Sequence, residues 1–121
     1  MKRATIRIKN LALRAIIGFN EWEREKKQDL LINIEVEFDA QLAVKSDKEE
    51  DTVDYKKITK RVIDGVEKSS YRLLETLAHR VLEIVMEDPG VLRATVEVDK
   101  PHSLRFAESV SVVVRSVERN A

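Results

Sequence analysis

Four residues that can exchange protons or bind polar ligands stand at the predicted ends of structural elements. Glu23 lies in a charged loop, Tyr55 and Glu75 lie near helix starts, and Lys100 ends a strand. Carboxylates, phenols and amines can act as general acids or bases, and a carboxylate can accept two N–H donors from a planar ligand. The sequence therefore predicts a polar pocket built from loop and element ends.

Each of these residues also has an ordinary structural explanation. Glu75 could simply complement a helix dipole, and Tyr55 could be a half-buried aromatic at a helix start. Lys100 precedes Pro101, which favours an extended backbone, and could be a solvated lysine. Trp22 could be a packing lid on its loop. The residues alone leave both interpretations open.

Several other chemistries lack the residues they need. The chain has no cysteine and only two histidines, His79 and His102, which lie far apart and outside any HExxH pattern. No GxSxG motif is present, and three glycines are too few for a glycine-rich phosphate loop. We therefore expect no metal and no resident cofactor.

Length and composition indicate one globular domain over residues 1–121. Hydrophobic residues make up 43% and charged residues 36% of the chain, and Lys+Arg and Asp+Glu are both 22, so the formal net charge is zero. That balance gives no long-range attraction for nucleic acid or anionic membranes. No apolar run approaches the roughly 18 residues of a membrane helix. We expect a soluble, cytoplasmic protein.

Hydropathy periodicity predicts four strands and two helices. Alternating apolar and polar residues indicate the strands, and apolar residues at helical spacing indicate the helices. In chain order the elements are strands at 5–17 and 30–38, helices at 55–68 and 71–86, and strands at 95–100 and 109–117. Asn10 interrupts the first alternation and predicts a bulge. Residues 41–54 read as a solvated connection, and Ser69-Ser70 as a cap for the second helix.

The order strand, strand, helix, helix, strand, strand predicts an α+β sandwich. Its four-stranded antiparallel sheet would carry both helices on one face. A sheet with open edges can pair edge to edge between subunits, and a small core favours association. We therefore expect a homo-oligomer.

Four segments resemble motifs of the dihydroneopterin aldolase/epimerase family. Ile17–Glu23 resembles the family's Gly-x-x-x-x-Glu loop, and Val53–Tyr55 resembles its segment before the first helix. Leu73–Glu75 is similar to its pterin-anchor motif, and Val98–Pro101 to its strand-ending lysine. Each motif is short, but all four occur in order, and the resemblance covers about residues 4 to 117.

The resemblance implies the tunnelling fold, in which subunit sheets join edge to edge into a barrel. It further implies two stacked rings, a homo-octamer, and active sites between subunits. Glu75 would bind the amino-pyrimidinone edge of the pterin, and Leu74 and Val53 would complete the substrate-binding site.

The catalytic residues implied by the resemblance are Glu23, Tyr55 and Lys100. Lys100 would transfer protons, Glu23 would orient the substrate side chain, and Tyr55 of a neighbouring subunit would protonate the carbon freed by cleavage. The dihydropterin C=N bond is itself an electron sink, so retro-aldol cleavage needs neither a metal nor a Schiff base. The enzyme would supply orientation and proton transfer.

Two activities occur in this family, and the motifs divide between them. The Trp22-Glu23 pair resembles the aldolase, which releases glycolaldehyde and 6-hydroxymethyl-7,8-dihydropterin for folate synthesis. Lys27–Asp29, Ile58–Lys60, Leu73–Glu75 and His102–Ser111 resemble the 2′-epimerase, which converts dihydroneopterin triphosphate to dihydromonapterin triphosphate. We predict the epimerase, with the aldolase as the alternative. A non-catalytic pterin- or purine-binding assembly module is a third hypothesis, and it would not need Glu23, Tyr55 and Lys100.

Overall fold

The computed structural model describes residues 1–120 and contains one antiparallel sheet. The predicted domain ends at residue 121, which lies outside the described residues. Strand order in the sheet follows chain order, β1-β2-β3-β4. The strands are β1 (Arg3–Ala15), β2 (Gln28–Asp39), β3 (Arg93–Pro101) and β4 (Ser109–Arg115).

Two long helices cover one face of this sheet. They are α2 (Tyr55–Glu67) and α3 (Leu74–Met86), and a short helix α1 (Gln41–Ser46) precedes them. Helix α2 packs on β1 and α3, while α3 also packs on β3 and β4. The predicted four-stranded antiparallel sheet with two helices on one face is confirmed.

Alternation along β2 determines which sheet face is buried. Ile32 and Ile34 are fully buried against the helices, whereas Asn33 and Glu35 face the opposite side. Each fully buried aliphatic side chain contributes about 1.5–3 kcal/mol relative to an exposed one. A register slip of one residue would exchange the two faces, so the pattern fixes the pairing of β2 with both neighbours.

The predicted bulge in β1 is present. Ile8 pairs with Ile34 and Leu11 pairs with Ile32, so Lys9 and Asn10 together face one partner residue. Asn10 adopts φ 51°, a left-handed conformation that asparagine tolerates better than most residues. The extra residue keeps Leu13 and Ala15 in the core beyond the bulge.

Gly65 lies inside α2 although glycine costs about 1 kcal/mol in a helix relative to alanine. A Cβ at this position would lie 2.6 Å from Ile84 Cδ1 of α3. The missing side chain therefore permits the close contact between the two helices.

Two local details go beyond or differ from the predictions. Residues 41–46 of the predicted solvated connection form helix α1, which buries none of its residues and so leaves no amphipathic pattern. Ser69 closes α2 by donating to Val66 O at 2.6 Å. The N-cap of α3 is instead Leu73, which makes no side-chain capping bond.

None of the helices formed by residues 1–120 has both the length and the apolar character needed to cross a bilayer.

Candidate active site

The alternation of β3 places Lys100 at the edge of the core. Ala94, Val96 and Val98 face the helices and are buried, and Lys100 is the next residue on the same side of the strand. Its side chain is 14% exposed. An ammonium group held there needs a partner to replace lost water.

That partner is Glu23, the one buried charged residue among residues 1–120, with 5% of its surface exposed. Lys100 Nζ donates a hydrogen bond to Glu23 Oε2. Glu23 Oε1 accepts from the Asn20 backbone N–H at 3.2 Å and from Asn20 Nδ2 at 2.8 Å. Both carboxylate oxygens are therefore occupied, and the sequence-predicted pair Glu23 and Lys100 is in direct contact.

Opposing effects determine the ionisation of Glu23. Burial raises the pKa of its carboxyl group, while the hydrogen bond and charge of Lys100 and the hydrogen bonds from Asn20 and Gln28 lower it. The net result is a pKa below the ordinary value of 4.5. Glu23 is consequently a carboxylate at neutral pH and forms an ion pair with the Lys100 ammonium.

Gly18 makes room for this carboxylate. Its φ is +123°, which L side chains rarely adopt, and a Cβ built on it would overlap the Glu23 carboxyl group. The Gly-x-x-x-x-Glu spacing seen in the sequence is therefore a packing requirement of this site.

Arg24 connects the Glu23 loop to the segment before α3. Its Nη1 donates to Gly18 O at 3.1 Å and to Tyr71 O at 3.0 Å, and its Nη2 donates to Ser70 O. Arg24 was not among the residues predicted from the sequence. One arginine among the many charges of this loop gives no pattern, because its partners are backbone carbonyls and two of them lie 46 and 47 residues away.

Glu75 and Leu74 begin α3 at the same end of the subunit. The Gly18 N–H donates to Tyr71 O at 3.3 Å, which joins the segment before α3 to the Glu23 loop. Leu74 packs partly into the core, whereas the Glu75 carboxylate is exposed and has no hydrogen-bond partner within residues 1–120. It borders a groove of about 500 Å³ that is also lined by Tyr71 and Val114. Glu75 is thus available to an incoming ligand.

Tyr55 and Val53 lie elsewhere. Val53 is buried, and its Cγ2 would lie 3.3 Å from a Cβ on Gly90. Two residues after Gly90, the Leu92 N–H donates to Glu37 O at 2.8 Å, near the end of β2. Tyr55 opens α2 at this end, with 51% of its surface exposed.

The two groups of predicted residues therefore occupy opposite ends of the chain's fold. Lys100 follows Asp99, which pairs with Leu31 near the start of β2. Leu31 and Glu37 are six residues apart, and at about 3.3 Å per residue they are separated by roughly 20 Å. One chain brings Glu23 and Lys100 together and places Glu75 at their end of the sheet, but it does not bring Tyr55 or Val53 to them.

Comparison with known proteins identifies the family. A family model described as dihydroneopterin aldolase (FolB) matches residues 6–115, which include most of β1, the other three strands and both long helices. The chain belongs to the dihydroneopterin aldolase family. The family predicted from the four motifs is confirmed.

Within this family, two relatives share one name. The dihydroneopterin triphosphate 2′-epimerase of Pseudomonas aeruginosa is 48% identical over 111 residues, covering 92% of this chain and 90% of that protein. The protein of the same name in Escherichia coli K12 is 43% identical and covers 92% of each chain.

A solved dihydroneopterin aldolase has the same fold. The structure of the E. coli enzyme in complex with neopterin matches with a TM-score of 0.89 at 27% sequence identity, covering 93% of this chain and 98% of that one. The predicted subunit architecture of the tunnelling fold is thereby confirmed.

Proposed function

We propose that this chain is a 7,8-dihydroneopterin triphosphate 2′-epimerase that produces dihydromonapterin triphosphate. The observation that carries the proposal is the sequence identity of 48% and 43%, over nearly the full length of each chain, to two proteins named for that activity. The buried Glu23–Lys100 pair supports it, because it supplies the proton-transfer groups that retro-aldol chemistry needs.

Glu75 is the proposed anchor for the pterin ring. Its two carboxylate oxygens can accept the N–H donors on the amino-pyrimidinone edge in a bidentate arrangement. Leu74 lies next to it and would contact the ring. Val53 would come from the same neighbouring chain as Tyr55. Because its side chain is buried, its backbone would face the ligand.

The first chemical step breaks the C1′–C2′ bond. Lys100 releases its ammonium proton to water as the substrate binds, and the resulting neutral amine takes up the proton of the 2′-hydroxyl. The C2′–O bond becomes a carbonyl, and the electron pair of the broken bond moves into the C=N bond of the dihydropterin. Glu23 balances the charge on Lys100 and holds it in place. The substrate itself accepts the electrons, so the chemistry requires no resident cofactor.

The second step determines the product. Re-addition of C1′ to the opposite face of the aldehyde returns the proton from Lys100 to oxygen and inverts C2′. Protonation of C1′ instead releases the aldehyde and 6-hydroxymethyl-7,8-dihydropterin. We assign that protonation to Tyr55 of a neighbouring subunit in a homo-octamer, because roughly 20 Å of sheet separates the two ends within one chain.

The alternative function is the aldolase reaction of folate biosynthesis. It is favoured by the family description and by the close structural match to the E. coli aldolase. Both reactions share the first step, so the same Glu23, Lys100 and Glu75 would serve either one.

The deciding experiment incubates the purified protein separately with 7,8-dihydroneopterin and with its triphosphate. Chromatography then separates the 2′ epimer from the cleavage product, with Lys100→Ala as the matched control. We expect the triphosphate to give mainly epimer and the control to lose turnover by about two to four orders of magnitude.

Three results would contradict the proposal. Mainly 6-hydroxymethyl-dihydropterin from both substrates would assign the aldolase activity. Pterin binding without either product would assign a binding module. Full activity in Lys100→Ala would remove Lys100 from the chemistry.

A further inference from the structure

Arg24 has an unusual set of partners for a charged residue. Its guanidinium donates to three backbone carbonyls, those of Gly18, Ser70 and Tyr71. It forms no ion pair with a carboxylate among residues 1–120. Its charge is therefore directed entirely at the carbonyl dipoles of two separate chain segments.

The 3₁₀ turn Glu21–Arg24 gives Glu23 and Arg24 different directions. Such a turn has three residues per turn, so consecutive side chains diverge by about 120°. Glu23 reaches Lys100 on β3, while Arg24 reaches residues 70 and 71 before α3. One short turn thus contacts both the strand that carries the amine and the segment that leads to Glu75.

A guanidinium is suited to this arrangement in a way that other side chains are not. It presents five N–H donors in a fixed planar fork, so two nitrogens can serve three acceptors at once. Lysine offers a single nitrogen on a flexible stem and can satisfy only part of the set. A methionine keeps the apolar stem of the arginine and removes every donor.

We propose that Arg24 is a positioning residue that fixes the Glu23–Lys100 pair relative to the pterin anchor Glu75. Through its contacts with Gly18, Ser70 and Tyr71, Arg24 holds the 3₁₀ turn Glu21–Arg24 at a set distance from the start of α3. The proposal rests on the function proposed above, in which Glu75 binds the ring and Lys100 transfers the proton.

Loss of Arg24 should displace the turn that carries Glu23 more than the start of α3 that carries Glu75. Helix α3 is held by fully buried residues such as Leu77, Ala78 and Val81, so Glu75 keeps its place without Arg24. The 3₁₀ turn buries only Glu23 and depends on hydrogen bonds for its position. The catalytic pair therefore becomes misplaced while the ring site remains.

The test compares Arg24→Met and Arg24→Lys with the control Arg14→Met. Arg14 also donates to a backbone carbonyl near this loop, Lys27 O at 3.1 Å, but its side chain is 64% exposed on an edge strand. We expect kcat to fall about 10- to 100-fold in Arg24→Met, since misplacement by about 1 Å can cost that much. Arg24→Lys should be intermediate and Arg14→Met near wild type.

Ring binding separates a positioning role from general damage to the fold. The affinity for guanine, a planar probe with an amino-pyrimidinone edge and no side chain, should change less than about twofold in Arg24→Met. A fall in guanine affinity equal to the fall in kcat would overturn the proposal. Equal losses in Arg24→Met and Arg14→Met would overturn it as well.

A second measurement does not depend on turnover. The carboxyl ¹³C signal of Glu23, assigned by its loss in Glu23→Gln, should titrate below the ordinary pKa in wild type and closer to that value in Arg24→Met. If the wild type converts neither substrate, the proposed function fails and this titration still decides the role of Arg24. An unchanged Glu23 titration in Arg24→Met would contradict the positioning role. If Arg24→Met folds poorly, Arg24→Lys is measured in its place, and an unchanged titration there would contradict the role as well.

Discussion

The Glu23 carboxyl group lies where a Cβ atom on Gly18 would stand. The two residues are five positions apart, and the chain between them folds back so that the side chain of one fills the space left by the other. Gly18 is needed both for this space and for its φ of +123°. The site is therefore built around the absence of a side chain.

Substitution Gly18→Ala should displace the Glu23 carboxylate and strain the backbone. We expect the unfolding free energy to fall by about 1–3 kcal/mol, the usual cost of a non-glycine residue in a disfavoured conformation. Turnover should fall at least as far as in Glu23→Gln, because the ion pair with Lys100 is lost with the displacement. Denaturant unfolding and kcat measured on the same preparations check both effects.

Gly90→Ala is the matched control for this change. Its Cβ would meet Asp88 Oδ1 at 3.2 Å and Val53 Cγ2 at 3.3 Å, close contacts that small shifts can relieve. Gly90→Ala should retain wild-type turnover, because the added Cβ contacts neither Lys100 nor Glu23. If Gly18→Ala is as active as Gly90→Ala, the carboxylate does not need the position described here.

The ion pair of Glu23 predicts a pH dependence of stability. Because the folded-state pKa of Glu23 is lower than the ordinary 4.5, its contribution to stability is complete above that value and is lost as pH falls through the folded pKa. The difference in unfolding free energy between wild type and Glu23→Gln should therefore be constant from pH 7 to about pH 5 and shrink below it. Unfolding curves at fixed protein concentration across this range measure the difference.

The double variant Glu23→Gln/Lys100→Met provides the reference for that experiment. It removes the unpaired ammonium that Glu23→Gln alone would leave at the core edge. If the difference in unfolding free energy between wild type and the double variant also shrinks as pH falls, the effect belongs to Glu23. A difference that grows as pH falls would mean that the folded-state pKa is raised rather than lowered.

Glu75→Gln should weaken ring binding while leaving the fold intact. The amide keeps the shape of the carboxylate but replaces one acceptor with a donor, so we expect a loss of about 2–4 kcal/mol in pterin affinity. The exposed side chain makes no bond within residues 1–120, so the thermal midpoint should hardly change. Calorimetric titration with a pterin that lacks the side chain measures the affinity.

The control for this substitution is Glu83→Gln. Glu83 lies two turns further along α3, borders the same groove and is paired with Arg80 at 3.8 Å. Its loss should leave pterin affinity unchanged. Equal affinity in wild type and Glu75→Gln would return Glu75 to the role of an ordinary acidic residue in the first turn of a helix.

Local patterns predicted the elements well because each depends on its own residues. The alternation of Ile32 to Val36 defined β2, and the break at Asn10 located the bulge. Helix α1 was missed because it buries no apolar residue. Arg24 was missed because two of its three partners are carbonyls 46 and 47 residues away, and the type of a distant residue says nothing about its carbonyl.

The candidate site was predictable only in part for a related reason. Glu23 and Lys100, which the motifs named, are brought together by one chain, and their role in catalysis stays a prediction. Tyr55 lies at the far end of the sheet from Lys100, so the role proposed for it requires a second chain. Periodicity and burial describe one chain and contain no information on that arrangement.

Tyr55→Phe should change which product forms rather than whether the substrate is cleaved. The substitution removes only the hydroxyl, so protonation of the freed C1′ should slow while re-addition, which needs no such acid, continues. We expect formation of 6-hydroxymethyl-dihydropterin to fall by about two orders of magnitude, within the range of a positioned proton donor, and the 2′ epimer to fall much less.

Tyr71→Phe is the control, since Tyr71 is the other tyrosine of the chain and its contacts with Gly18 and Arg24 use the backbone carbonyl. The product ratio from one substrate is the measurement, and a proportional fall of both products, or a ratio that moves toward cleavage, would remove Tyr55 as the acid that commits the intermediate.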